Sequence, residues 1–213
     1  MFESKKALNL LAEKGHQGHA EPSIYIQKIK ACTFSVNNFQ ICFIPSTDLI
    51  EDELVIIEQL LRFEEVLTLS DWENLSFREF ESFLRDKNSS PSVYGVNFQK
   101  VNDHYNTWKN ILSNIIRVRK GLDILKQKVG SVEKCTFIEA CVKINHGFSD
   151  LHKECVFKEN HFYKIYEFNA LKSEIIFEIE TKFAVNNFEI ELLRLFGKSI
   201  EGVKSVKMVA RQG

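Results

Sequence analysis

The chain has 213 residues, 44% of them hydrophobic and 27% charged, with nine Gly and three Pro, which supports a folded core and excludes collagen-like and low-complexity classes. Its 28 basic and 29 acidic residues leave a formal charge of -1, so the chain as a whole lacks the positive excess of a dedicated nucleic-acid binder. No apolar stretch approaches the roughly 18 to 20 residues of a membrane span, and an odd count of five Cys with no secretory leader argues for reduced thiols and a cytoplasmic location.

The first element is an amphipathic helix over residues 2–14, with Phe2, Ala7, Leu8, Leu11 and Ala12 at helical spacing and Gly15 as its stop. A connector containing His16, Gly18, His19 and Pro22 follows. Residues 24–34 and 39–44, rich in β-branched and aromatic side chains, predict a β-hairpin turning at Asn37 and Asn38 and ending at Pro45. The segment around that pair, Phe34-Ser35-Val36-Asn37-Asn38-Phe39-Gln40-Ile41, recurs as Phe183-Ala184-Val185-Asn186-Asn187-Phe188-Glu189-Ile190. Asn tolerates positive φ, so each copy suits a tight turn or a strand-to-helix junction.

From 48 to 67, Leu49, Ile50, Leu54, Ile57, Leu60, Leu61 and Val66 follow a 3.6 period, with Glu51, Asp52 and Glu53 where the helix dipole favours acids. Ser70 with Glu73, and Ser76 with Glu79, have capping-box spacing, which predicts a further helix from one of them to about Arg85. Asn88-Ser89-Ser90-Pro91 breaks the chain. A long central helix over 97–128 buries Val101, Tyr105, Trp108, Ile111, Leu112, Ile115, Val118, Leu122 and Leu125, with Gly121 loosening its middle.

Beyond it, residues 135–144, 155–157, 162–168 and 175–183 read as strands, with a turn at Lys158-Glu159-Asn160. Asn187 reads as the N-cap of a late helix ending at Gly197, and 203–209 as a last strand. The expected fold is α+β: an N-terminal β-hairpin and helices, a long central helix, and a C-terminal, mostly antiparallel sheet with a late helix. It is expected as a single elaborated domain over 1–213 with a candidate lobe boundary near 88–92.

Several constellations could carry chemistry. Cys135, Cys141, His146, His152, Cys155 and His161 are the densest set of zinc-type ligands in the sequence. Cys141, His146, His152 and Cys155 are the candidate metal site, with His152-x2-Cys155 the nearest pair. The alternative is buried thiols beside solvated imidazoles. His16 and His19 could also ligate a metal from a polar connector. Arg117, Arg119 and Lys120, with Lys126 and Lys128, form a basic cluster on the central helix that could contact phosphate in a nucleic acid, or serve as a solvated face.

Glu178, Glu180 and Lys182 alternate on one face of the strand at 175–183. That spacing can hold a divalent cation and orient water, with Glu167 from a neighbouring strand as a second carboxylate. The helix, strands, acid-x-Lys strand and following helix over about 130–210 resemble the core of the PD-(D/E)xK nucleases, with Glu167 where that family usually carries Asp. The resemblance implies Mg²⁺-dependent phosphodiester cleavage, with Glu167, Glu180 and Lys182 as catalytic residues. Alternating charges also suit the wet face of an antiparallel sheet.

The P-loop, Gly-x-Gly-x-x-Gly and Gly-x-Ser-x-Gly motifs are absent from the sequence, and no Arg has a His four to six residues further on, as the signature of the HEPN ribonucleases would require. With 18 Phe against two Trp and two Met, the expected function is that of a non-catalytic accessory or regulatory subunit acting on a protein partner, without resident cofactor or membrane association. The alternative is the metal-dependent nuclease, using Mg²⁺ before Zn²⁺.

Overall fold

The computed structural model describes residues 2, 4–13, 16–17, 25–29, 32–37, 40–87, 91–93, 97–154, 156–157, 163–169, 171–180 and 187–211. The architecture is α+β. Two compact units divide it, Met1–Arg119 and Lys120–Gly213. Residues 88–90, in the stretch where the sequence suggests a lobe boundary, lie outside the described residues.

The first unit opens with α1 (Lys5–Glu13). A helix cannot satisfy its own first amides, and here the Ser4 hydroxyl accepts from Ala7 N–H at 3.1 Å while the Asp86 carboxylate accepts from Lys5 and Lys6 N–H at 2.8 and 3.1 Å. Next comes an antiparallel sheet in the order β1 (Tyr25–Ile29), β2 (Cys32–Asn37), β3 (Gln40–Pro45). It is a three-strand meander, because the segment read as one strand over 24–34 contains most of two, with Ile29 paired to Cys32. Asn37 is itself paired, to Gln40, so the two linking positions are 38 and 39, one later than the expected turn, and they lie outside the described residues. The core sets this register. Phe34 pairs with Phe43 and Val36 with Ile41, which puts four buried side chains on one face, and a slip of one residue would turn them outward.

α2 (Glu51–Val66) carries Glu51, Asp52 and Glu53 in its first turn and buries Val55, Ile56, Ile57, Leu60, Leu61 and Phe63. Two short helices follow rather than one. Thr68 caps α3 (Leu69–Asn74), and Ser76 with Glu79 forms a complete capping box on α4 (Phe77–Phe83). The Asn97–Lys128 helix, α5, begins in this unit. Its Trp108 ring lies 6.1 Å from Phe34, and Tyr105 lies 4.8 Å from Phe80 and donates to the Leu75 carbonyl at 2.6 Å.

In the second unit, residues 135–144 are not a strand. They open α6 (Phe137–Lys153), and a capping box of Thr136 and Glu139 starts it. Ala140, Ile144, Gly147, Phe148 and Leu151 are buried at helical spacing, and that periodicity outweighs the β-branched content of the segment. Val156 and Phe157 belong to no strand, and residues 158–160 lie outside the described residues.

The C-terminal sheet has the order β4 (Tyr163–Asn169), β5 (Glu174–Glu180), β6 (Ser205–Arg211) and is mixed, antiparallel between β4 and β5 and parallel between β5 and β6. A parallel neighbour needs a crossover. The late helix α7 (Asn187–Ser199) supplies it, and Asn187 is its first residue. Gly121, in α5, is the floor for an α7 side chain: a Cβ there would lie 2.2 Å from the Phe196 ring. The glycine therefore permits close helix packing where the sequence suggests only a looser helix.

Candidate functional site

A polar cluster in the first unit is built around His16. The Phe43 amide donates to the His16 carbonyl at 3.0 Å, and Gln17 bridges Phe43, which fixes this short segment beside β3. Below it α2 presents Glu58, whose side chain is fully buried. The His16 amide donates to both Glu58 oxygens, at 3.2 and 3.4 Å, and His16 Nδ1 lies 3.0 Å from Glu58 Oε2. Two turns further along α2, Glu65 Oε1 is 3.5 Å from Nε2.

A cavity of about 650 Å³ opens over this pair, lined by His16, Gln40, Ile41, Cys42, Arg62, Glu64, Glu65 and Arg119. Its charges are matched at short range. Arg119 pairs with the buried carboxylate of Glu64, and Arg62 with Glu13. Burial alone pulls His16 toward neutrality and is the largest single influence, yet hydrogen bonding and attraction from Glu58, then Glu65, outweigh it and raise its pKa above 6.5. The arrangement can hold a protonated imidazole against a buried carboxylate, or orient a neutral one so that Nε2 accepts a proton.

Burial redefines the basic cluster. Arg117 is only 2% exposed, so it does not reach a phosphate from solvent. Arg119 is committed to Glu64, and Lys120 is half-buried. Arg117 thus lies on the core-facing part of α5, not on the solvated polar side that the sequence suggests, and the Glu64 carboxylate makes the partly buried placement of Arg119 tolerable.

The zinc candidates are dispersed by the helix that replaces the expected strand. Cys141, His146 and His152 all lie on α6, where Cys141 and His152, eleven residues apart, are separated by about 16 Å along the axis and cannot share one ion. His152 packs instead on the Phe157 ring at 4.9 Å, and burial lowers its pKa against an opposing pull from Glu189. Cys155 lies outside the described residues, as do His19 and His161. Among the described residues no group of three or more His, Cys, Asp or Glu side chains is placed to hold a metal. Among the described residues Cys32, Cys42, Cys135 and Cys141 form no disulfide.

Of the nuclease-type set, Glu167 is on β4 and Glu180 ends β5, while Lys182 and the side chains of the two acids lie outside the described residues. The register pairs Glu167 with Ile176. At about 3.3 Å per residue, the Glu180 backbone is some 13 Å further along the strand.

Sequence reasoning passed over the His16–Glu58 pair, although Glu58 carries a usable signal: it sits four residues after Leu54 and three before Leu61, on the apolar stripe of α2. No family model, no curated protein and no solved structure matches the chain. Among the described residues no helix is long and apolar enough to cross a membrane.

Proposed function

We propose that the chain is an accessory or regulatory subunit that acts through protein contacts in the cytoplasm. The observation that carries this reading is the start of α6, where Phe137, Ile138 and Val142 are 48%, 72% and 49% exposed. At 100° per residue these three, with the half-buried Cys141 between them, fall within an arc of about 140° on one side of the helix. Adjacent large apolar side chains left in water are a liability for a chain that works alone and an asset for one that docks. Covering the exposed halves of three such side chains would contribute about 3 kcal/mol.

The test is affinity purification from the source organism of the tagged protein and of the Ile138→Asp, Val142→Asp double variant, with folding checked by circular dichroism. The expected result is a stoichiometric protein partner that accompanies the parent chain and is missing from the folded variant. Retention of that partner by the variant, or purification of the parent chain alone, would overturn the reading. Mg²⁺-dependent DNA cleavage that disappears in the Glu180→Ala, Lys182→Ala double variant would replace it with the nuclease.

A further inference from the structure

The imidazole of His16 stands between two carboxylates, with Nδ1 3.0 Å from Glu58 Oε2 and Nε2 3.5 Å from Glu65 Oε1. Only an imidazolium donates from both nitrogens, because a neutral ring carries one N–H and one lone pair. Once the proton leaves, the ring keeps its bond to Glu58 only by turning a lone pair toward Glu65. Protonation therefore decides how many side-chain contacts between residue 16 and α2 survive.

What those contacts hold is cover for a sheet edge. Phe43 N–H donates to the His16 carbonyl at 3.0 Å and Gln17 makes a parallel bridge to Phe43, so residues 16–17 lie along the side of β3 that β2 does not use. Such cover is one way a folded chain keeps a strand edge from pairing with another chain. Residue 16 is tied to β3 by its carbonyl and to α2 by its amide and its ring. The strand does not depend on these ties: all 6 of its residues pair with β2, and Ile41 and Phe43 are buried in the core. Residues 16–17 can therefore lift while the sheet and α2 stay folded.

We propose that residues 16–17 are a proton-operated strap on the edge of β3: His16 holds it shut while its imidazole is protonated and bridges Glu58 and Glu65, and loss of that proton lets it lift, baring the outward amide of Phe43.

The charged and titratable groups around His16 are Glu58, Arg62, Glu64 and Glu65 of α2, Arg119 of α5 and the Cys42 thiol of β3, with Glu13 of α1 behind Arg62. Arg62 is matched by Glu13 and Arg119 by Glu64, which leaves Glu58 and Glu65 to set the field at the imidazole. Burial opposes the charge and is the largest single influence, but Glu58 and then Glu65 overcome it and raise the pKa of His16. The closed strap thus binds the proton more tightly than the lifted one. It is shut below the value of a solvated imidazole, about pH 6.5, and lifts more often as pH rises through the raised value. The strap belongs to the first unit and is independent of the α6 face, so it goes beyond the accessory reading without resting on it.

The test is amide hydrogen exchange of the isotope-labelled native protein, followed by NMR from about pH 5.5 to about pH 9 and corrected for the chemical exchange rate at each pH. Protection of the Phe43 amide is expected to be flat up to about pH 6.5, to fall above it by at most about tenfold per pH unit, as release of one proton requires, and to end about fivefold lower. Phe34, in the central strand, should keep its protection throughout. In His16→Gln, whose side chain does not titrate, Phe43 protection should be low and independent of pH. Glu65→Gln, a change at a largely exposed side chain, should shift the fall to lower pH. Phe43 protection that is the same at about pH 6 and about pH 9, or that falls in step with Phe34 as in global unfolding, overturns the proposal. A fall that persists in His16→Gln overturns it as well, and a fall that Glu65→Gln leaves in place removes Glu65 from the bridge. Should His16→Gln fail to fold, the parent profile and Glu65→Gln decide by the same criteria.

Discussion

Replacing His16 by Ala strands a carboxylate. The Glu58 side chain is 0% exposed and that of His16 16%, so the pair is effectively interior, where removing one partner costs about 3 to 5 kcal/mol. Not all of it is lost, because the amide of residue 16 still donates to both Glu58 oxygens, at 3.2 and 3.4 Å, and a hydrogen bond to a charged acceptor retains about 1.5 to 3 kcal/mol. The difference is a destabilisation of about 2 kcal/mol in acid. Its pH dependence has a definite sign. The folded state raises the pKa of His16, so the ionic contribution is complete below the unfolded value of about 6.5 and is lost as pH rises through the folded value. Urea unfolding followed by far-ultraviolet circular dichroism should therefore show a gap between parent and variant of about 2 kcal/mol near pH 6, shrinking to the roughly 1 kcal/mol of a neutral hydrogen bond near pH 9. A gap below about 0.5 kcal/mol near pH 6, or one that widens with pH, would refute the buried ion pair.

Two structural predictions accompany it, read by thermal melts or urea titration. Gly121→Ala places a Cβ 2.2 Å from the Phe196 ring and should destabilise the second unit by about 1 to 3 kcal/mol of overpacking, against about 1 kcal/mol of gained helix propensity; a stabilised variant would show that Phe196 can move aside. Tyr105→Phe removes the 2.6 Å bond to the Leu75 carbonyl in the core and should cost about 1 kcal/mol, with no measurable loss refuting that bond.

The sequence made the helices of the first unit legible because their signals are local. Glu51, Asp52 and Glu53 open α2, and Ser76 with Glu79 opens α4 within four residues. The same kind of signal, Thr136 with Glu139, was available for α6. It competed with Cys135, Thr136, Phe137 and Ile138, a run that resembles a strand. In the structure Gly147 is the place where α6 meets Val129, since a Cβ there would lie 2.3 Å from that side chain. A glycine needed for contact and a glycine that ends a helix read identically in one dimension. The parallel pairing of β5 and β6 was illegible for a related reason, because strand patterns carry no direction and only the crossover through α7 sets it.

Charge burial divides along the same line. Three glutamates of the first unit are buried, Glu58, Glu64 and Glu81, and each is opposed by a basic side chain. For Glu81 the partner is Arg85, four residues on, with Nε donating to Oε2 at 2.7 Å; that pair can be read from the sequence by helix geometry. Burial works against ionisation of Glu81 and is the largest influence on it, yet bonds from Arg85 and Ser92 prevail and lower its pKa. The partners of Glu58 and Glu64 lie 42 and 55 residues away, beyond any local rule. What the sequence does hold is the anomaly itself, an acid on the buried stripe of an amphipathic helix. An isolated interior carboxylate is too costly to persist as a charge, so each such position requires a cation from elsewhere in the chain. For Glu58 that requirement places His16 against α2 and defines the floor of the cavity that also contains Cys42.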